Sequence, residues 1–467
     1  MSAISKMREL STRPVDIAWL AGLRIAFGLT MLVSALRFLA YGWIDDFWVK
    51  PDFHFKYWGF AWVEPLPASG MHALFVFLAV AAFTFTLGLF FRLSAIVLFL
   101  GLTYVQLLDV ATYLNHYYLA SLVLGLFALS PANRAFSLDA MLRGRHAREV
   151  PFAWLALFRS QVAIVYTFAG LAKANSDWLL HAQPIRIWIA SKADMPILGA
   201  LFSLPHAALA MSWAGFLFDT TIVWFLLHRR TRPFAYVAVV VFHVLTRILF
   251  PIGMFPIIMM VGALVFFPPE TWRRALERAA ALFPRRFFAS SREAKLGAGS
   301  PWVSVAMALF ILVQCVLPLR FLAYGGNVRW HEQGMRFSWR VMVREKNGSV
   351  TFVVRERDTG RTYHVAPRSY LTSIQEREMS SQPDLILQLA HHVASDVRNR
   401  SGHDVSVNAI AIASLNGRRV APLVDPDVDL TRVDDGLAKA LWILPEPAGD
   451  PPHLRSAPAH DARSAAL

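Results

Sequence analysis

The sequence predicts an all-α multi-pass membrane domain of about nine transmembrane helices, followed by a small extracytoplasmic α+β module. Three observations carry that prediction. Hydrophobic residues make up 56% of the 467 positions and charged residues only 17%, with 35 Phe and 15 Trp. Soluble domains are about half apolar but about a quarter charged. The apolar residues gather into stretches close to the length needed to cross about 30 Å of hydrocarbon. After residue 322 those stretches stop, and short β-branched runs with turn residues replace them. This balance argues against a soluble dehydrogenase, hydrolase or nucleic-acid-binding module.

The stretches fall at 17–40, 72–91, 93–112, 113–129, 152–172, 206–227, 234–249, 252–267 and 302–321. The third and fourth run together, so a tight turn near 113–118 must divide them. The seventh and eighth meet at Pro251-Ile252-Gly253. The connecting loops alternate between the two sides, and the excess of basic residues falls on one of them. Lys6, Arg8, Arg13, Arg92, Arg134, Arg143, Arg145, Arg148, Arg229, Arg230 and Arg232 share one side with the run from Arg273 to Lys295. On the other side Lys50 and Lys56 are offset by Asp45, Asp46, Asp52 and Glu64. Excess Lys and Arg mark cytoplasmic loops. The N-terminus is therefore placed in the cytoplasm and the C-terminus outside, in a bacterial inner membrane or a eukaryotic endoplasmic reticulum. The net charge of +14 follows from that topology and does not call for nucleic acid. The basic stretch 273–295 is read as touching anionic lipid.

Beyond the last stretch, 335–343 and 350–364 read as strands joined by Lys346-Asn347-Gly348, with a second turn signal at Asp358-Thr359-Gly360. Leu385, Leu389 and Val393 give 384–397 a helical apolar face. Two more strands, 405–413 and 420–424, flank Asn416-Gly417. The domains are thus a membrane part over 1–322, an α+β part over 323–444, and a Pro- and Ala-rich tail over 445–467 that is expected to be disordered. Cys315 is the single cysteine, so no internal disulfide forms; its apolar neighbours suggest a buried small hydrophobe.

Ionisable groups are costly inside a bilayer unless paired or facing a cavity. Asn115 and His116 sit at the turn between the third and fourth stretches, and Lys173 ends the fifth with Asp177 one helical turn on. Asp219 interrupts the sixth, and His243 and Arg247 lie in the seventh. Lys173, His116 and His243 should reach similar depth on the outer face. Two readings stand for Lys173: a side chain snorkelling to the headgroups, or a desolvated general base. Asp177 is positioned to pair with it and oppose the second. No His or Cys spacing suggests a metal site, and no phosphate-binding glycine loop appears.

These same residues carry a resemblance. Pro51-Asp52-Phe53-His54-Phe55, Leu114-Asn115-His116-Tyr117-Tyr118, Ala169-Gly170-Leu171-Ala172-Lys173 with Asp177-Trp178, and Phe242-His243 with Ile252-Gly253-Met254-Phe255 are similar to ordered blocks of the vitamin K-dependent γ-glutamyl carboxylases. Trp330, Arg336-Phe337-Ser338-Trp339-Arg340 and Asp425-Pro426-Asp427-Val428-Asp429 extend the likeness outside the membrane. The chain looks most like the shorter bacterial branch built on a horizontally transferred transmembrane domain. The family often has two adjacent lysines where this chain has Ala172-Lys173, and Lys173 matches the second.

The resemblance implies that reduced vitamin K, O2 and CO2 are used to add a carboxyl group to a protein glutamate, giving γ-carboxyglutamate and quinone epoxide. Lys173 would deprotonate the hydroquinone, and reaction with O2 would then create a base strong enough for the glutamate γ-proton. His116 would stabilise charge or orient CO2, Asn115 would bond the quinone oxygen, and His243 and Asp219 would support the site. The partners implied are the bilayer, a quinone and a glutamate-containing protein or peptide. Competing readings are a quinol epoxidase that carboxylates no protein, and a non-catalytic membrane transporter or scaffold.

Overall fold

The computed structural model describes residues 9–282, 292–293 and 301–452. In chain order its membrane part contains α1 (Ala18–Ala40), α2 (Ala68–Leu87), α3 (Phe91–Leu108), α4 (Asn115–Leu129), α5 (Phe152–Lys173), α6 (Ala207–Leu227), α7 (Arg232–Leu249), α8 (Phe255–Ala263), α9 (Pro269–Ala280) and α10 (Pro301–Val316). Seven helices among the described residues are long and apolar enough to cross a membrane: α1, α2, α3, α5, α6, α7 and Trp302–Ala323, which contains most of α10. The chain is a multi-pass membrane protein. The fourth sequence stretch forms the shorter α4, whose 15 residues span about 22 Å at helical rise. The eighth forms α8 and a 3-10 turn, and Phe255–Phe266 bends by 112° into α9.

The break between α3 and α4 lies at 109–114, earlier than the expected 113–118. The Asp109 side chain accepts the Ala111 backbone N–H at 2.8 Å and stops the helix there. Glycines set the close helix contacts. A Cβ at Gly28 on α1 would lie 2.3 Å from Thr86 Oγ1 on α2, and one at Gly170 on α5 would lie 2.6 Å from Thr220 Cγ2 on α6. α1 is the most enclosed of the spans, and Trp302–Ala323 the most exposed. Cys315 is only partly buried, at the edge of the membrane core.

The C-terminal module is a four-stranded antiparallel sheet with one long helix against it. Its strands are β1 (Lys346–Glu356), β2 (Thr362–Val365), β3 (Val405–Leu415) and β4 (Ala421–Pro422), in the order β2-β1-β3-β4. Two helices, α11 (Ser373–Met379) and α12 (Pro383–Ser401), lie between β2 and β3. Every second residue of β3 is buried, as a half-covered strand requires. Leu385, Leu389 and Val393 of α12 fill the same core. Proline opens α12, and Gly402 in the left-handed region closes it.

Two strand expectations are corrected. Residues 335–343 form turns instead of a strand. Phe337, Trp339 and Met342 take positive φ, and the aromatic rings turn onto the membrane domain: Trp339 stacks on Tyr118 at 4.9 Å. Lys346-Asn347-Gly348 is the start of β1, paired with Leu415, Ser414 and Ala413. The stretch from Pro445, read as disordered, is described as far as residue 452 and touches the module. Asn327 Nδ2 donates to Glu446 Oε2 at 2.5 Å, and Arg418 Nε donates to Gly449 O at 3.0 Å. The rest of that tail lies outside the described residues.

The module is seated on one end of the helices. Phe55 and Val110, from membrane-domain connections, bury in its core. Gln375 on α11 donates to Asp109 Oδ2 at 2.8 Å and to Phe53 O at 2.7 Å.

Candidate functional site

The approach at Gly170 places the end of α5 beside the middle of α6. Lys173, one turn beyond Gly170, donates from Nζ to Asp219 Oδ2 at 2.7 Å and to Ala169 O at 3.1 Å. Both side chains are buried. The Trp178 ring lies 5.3 Å from Nζ. Two turns before Lys173 on the same face, Tyr166 OH and His243 Nε2 on α7 are 3.0 Å apart. His243 Nδ1 is buried without a hydrogen-bond partner among the described residues.

These two polar pairs open into one cavity of about 210 Å³. Phe242, Phe250, Phe255, Leu249 and Met259 form much of its apolar wall, and Val341 and Met342 of the module's connector also line it. Apolar walls with a few convergent polar groups are the usual make-up of a small-molecule site. The unpartnered His243 nitrogen and the lysine ammonium suit a flat aromatic ring bearing hydroxyl groups, so a hydroquinone fits the residues present.

The expected partner of Lys173 is wrong. Asp177 turns away from it, and is held by Arg418 through 2.7 and 2.8 Å bonds, by Asn416 at 2.7 Å and by Arg329 at 3.3 Å. Burial raises the Asp177 carboxyl, but the Arg418 hydrogen bonds, the Arg329 charge and Asn416 together hold it below its ordinary value. An acid four residues on seemed within reach, but the chain leaves the helix after Lys173 and Asn175 caps a new turn that carries Asp177 sideways.

Asn115 and His116 do not line the cavity with Lys173. The His116 ring packs against Tyr117 and, at 6.2 Å, against Phe255, which also meets His243 at 5.7 Å. Phe255 thus contacts both histidines and lines the cavity that His116 does not, and His116 Nε2 is buried without a partner among the described residues. Asn115 accepts from Tyr113 OH at 2.9 Å. It borders a separate cavity of about 240 Å³ with Arg336, Arg340, Arg344 and Glu332. Arg247 is exposed at the end of α7. Tyr166, Trp178, Val341 and Met342 were not singled out as site residues from the sequence. Tyr166 left a signal in its seven-residue spacing from Lys173, and Trp178 in the block that carries the resemblance. Among the described residues no group of three or more His, Cys, Asp or Glu is placed to hold a metal ion.

Two family models match the chain. Residues 12–272 match the HTTM domain, and residues 299–449 match the lumenal domain of vitamin K-dependent gamma-carboxylase. No solved structure matches. The two matches succeed one another in the order of the helical and sheet-containing parts, and the chain belongs to the vitamin K-dependent gamma-carboxylase family.

Proposed function

We propose that the protein is a membrane enzyme that oxygenates reduced vitamin K and couples this to CO2 addition at a protein glutamate. The observation that carries the reading is the buried Lys173–Asp219 pair at 2.7 Å in an apolar cavity. A bound hydroquinone supplies, on reaction with O2, basicity that no side chain has. The chain's part is proton handling and exclusion of water. Lys173 passes a proton to Asp219 Oδ2 across their hydrogen bond, and its amine then accepts the proton of a bound hydroxyl. Separated charge is costly in so apolar a site, which brings the neutral pair within reach. His243, oriented by Tyr166, offers Nδ1 to the ring's other oxygen. Phe242, Phe250 and Phe255 keep the cavity dry.

In this reading the N-terminus is cytoplasmic, α4 and α8 complete nine crossings, and the module faces outward over the cavity. The domains divide near residues 322 and 444. His116 acts on the carboxylation side, through the wall formed by Phe255. Incubation of purified protein with reduced vitamin K, a glutamate-containing peptide and labelled bicarbonate tests the reading: epoxide and fixed label are both expected. Epoxide alone would favour the second reading, quinol oxygenation without carboxylation, which the separation of His116 from the cavity supports. Neither product would leave a non-catalytic membrane protein.

A further inference from the structure

The helix α9 does not continue the span before it. Phe255–Phe266 turns through 112° into α9, so a membrane-crossing α8 leaves α9 close to the membrane plane. Its inner face is fixed to the bundle. Trp272 lies so close to α1 that a Cβ at Gly22 would be 2.1 Å from it, and its Nε1 donates to Leu264 O at 3.3 Å. Leu276 packs on the membrane core, and Arg273 is hydrogen-bonded to Asp16 and lies 3.5 Å from Glu277.

The outer face is different. Arg274 and Arg278, four residues apart on α9, are both exposed, and Leu282, in the turn just after the helix, is 85% exposed. Beside α9 the strand pair of Pro14–Asp16 with Glu149–Pro151 is flanked by exposed Arg13 and Arg148. None of these four arginines has a carboxylate partner among the described residues. Guanidinium groups along a helix at a membrane face, with an exposed apolar side chain just beyond its end, match phosphodiester headgroups beside acyl chains.

We propose that this end of the membrane domain binds anionic phospholipid, with Arg274 and Arg278 as its phosphate contacts and Arg13 and Arg148 beside them. The inference does not rest on the functional reading, and either can fail without the other. Each Lys or Arg near an anionic membrane surface strengthens attraction to it by about fivefold.

The test uses the full chain with Cys315→Ser and Leu282→Cys, labelled with a fluorophore and reconstituted in nanodiscs. Brominated phosphatidylglycerol should quench the label several-fold more strongly than brominated phosphatidylcholine at equal mole fraction. Adding Arg274→Gln and Arg278→Gln should cut the anionic lipid's advantage several-fold while leaving quenching by the neutral lipid intact. Equal quenching by both lipids in the parent would overturn the proposal. So would no quenching by either, or a preference undiminished by loss of both arginines.

Discussion

Gly170 on α5 and Thr220 on α6 are in backbone contact: a Cβ at Gly170 would lie 3.0 Å from the Thr220 nitrogen and 3.2 Å from the Asp219 carbonyl carbon. That contact is what lets Lys173 reach Asp219. Gly170→Ala should therefore push the helices apart at a cost of about 1–3 kcal/mol. It should lower epoxide formation further than the stability loss explains. Gly262→Ala is the control, because its Cβ would meet only Val162 Cγ2 at 3.4 Å. Thermal unfolding and epoxide yield, measured on the same preparations, check both.

Asp219→Asn keeps the shape and removes the proton's destination. In the proposed mechanism the rate of epoxide formation should fall by roughly 10²–10⁴, the usual worth of a general acid or base. Loss of the partner also leaves the Lys173 charge uncompensated, at about 3–5 kcal/mol for a broken buried pair. Asp219→Glu, which keeps the carboxylate, should retain more activity. Equal activity of the Asn and Glu variants would remove Asp219 from the proton path.

The bonds from Arg418 and Asn416 to Asp177 join the module to the end of the Lys173 helix. Asp177→Asn and Arg418→Gln should each destabilise the protein, and together by less than their sum, with a coupling of about 0.5–3 kcal/mol. The pH dependence has a definite sign. A carboxyl held below its ordinary value contributes stability above that ordinary value and loses it as pH falls through the folded value. The difference between wild type and Asp177→Asn should be constant near neutrality and shrink in acid. Unfolding midpoints across pH measure it.

Asp109, beneath the module, behaves in the opposite way. Burial pushes its carboxyl up to about 6, against the hydrogen bonds from Ala111 and Gln375. The folded state then holds a proton that the unfolded chain has released between the ordinary carboxylate value and about 6. Stability should fall through that window as pH rises, by about 1.4 kcal/mol per pH unit at most from this group. Asp109→Asn should lack that slope, whatever its absolute stability. An unchanged slope in the variant would assign the effect elsewhere.

Much of the architecture was legible because its signals are local. Apolar runs gave the membrane helices, and Leu385, Leu389 and Val393 gave the face of α12. Residues 335–343 misled because their aromatic rings serve the seam between module and membrane domain, which no local pattern encodes. In the site, the sequence marked Lys173 and Asp219 separately but paired the lysine with its near neighbour Asp177. The true contact spans 46 positions and depends on the glycine contact between two helices. Depth along the membrane could be counted for His116 and His243, but rotation about the helix axes could not. Both rings accordingly meet Phe255, but only His243 lines the cavity.

The central claim is that Lys173 accepts a proton inside the apolar cavity, and the most direct measurement is epoxide formation by Lys173→Ala with added small amines. Normalised to folded, inserted protein, the variant should form almost no epoxide. Amines should restore part of the rate in proportion to their free-base concentration, since they replace the missing acceptor. Undiminished epoxide formation in Lys173→Ala without any amine would contradict the account.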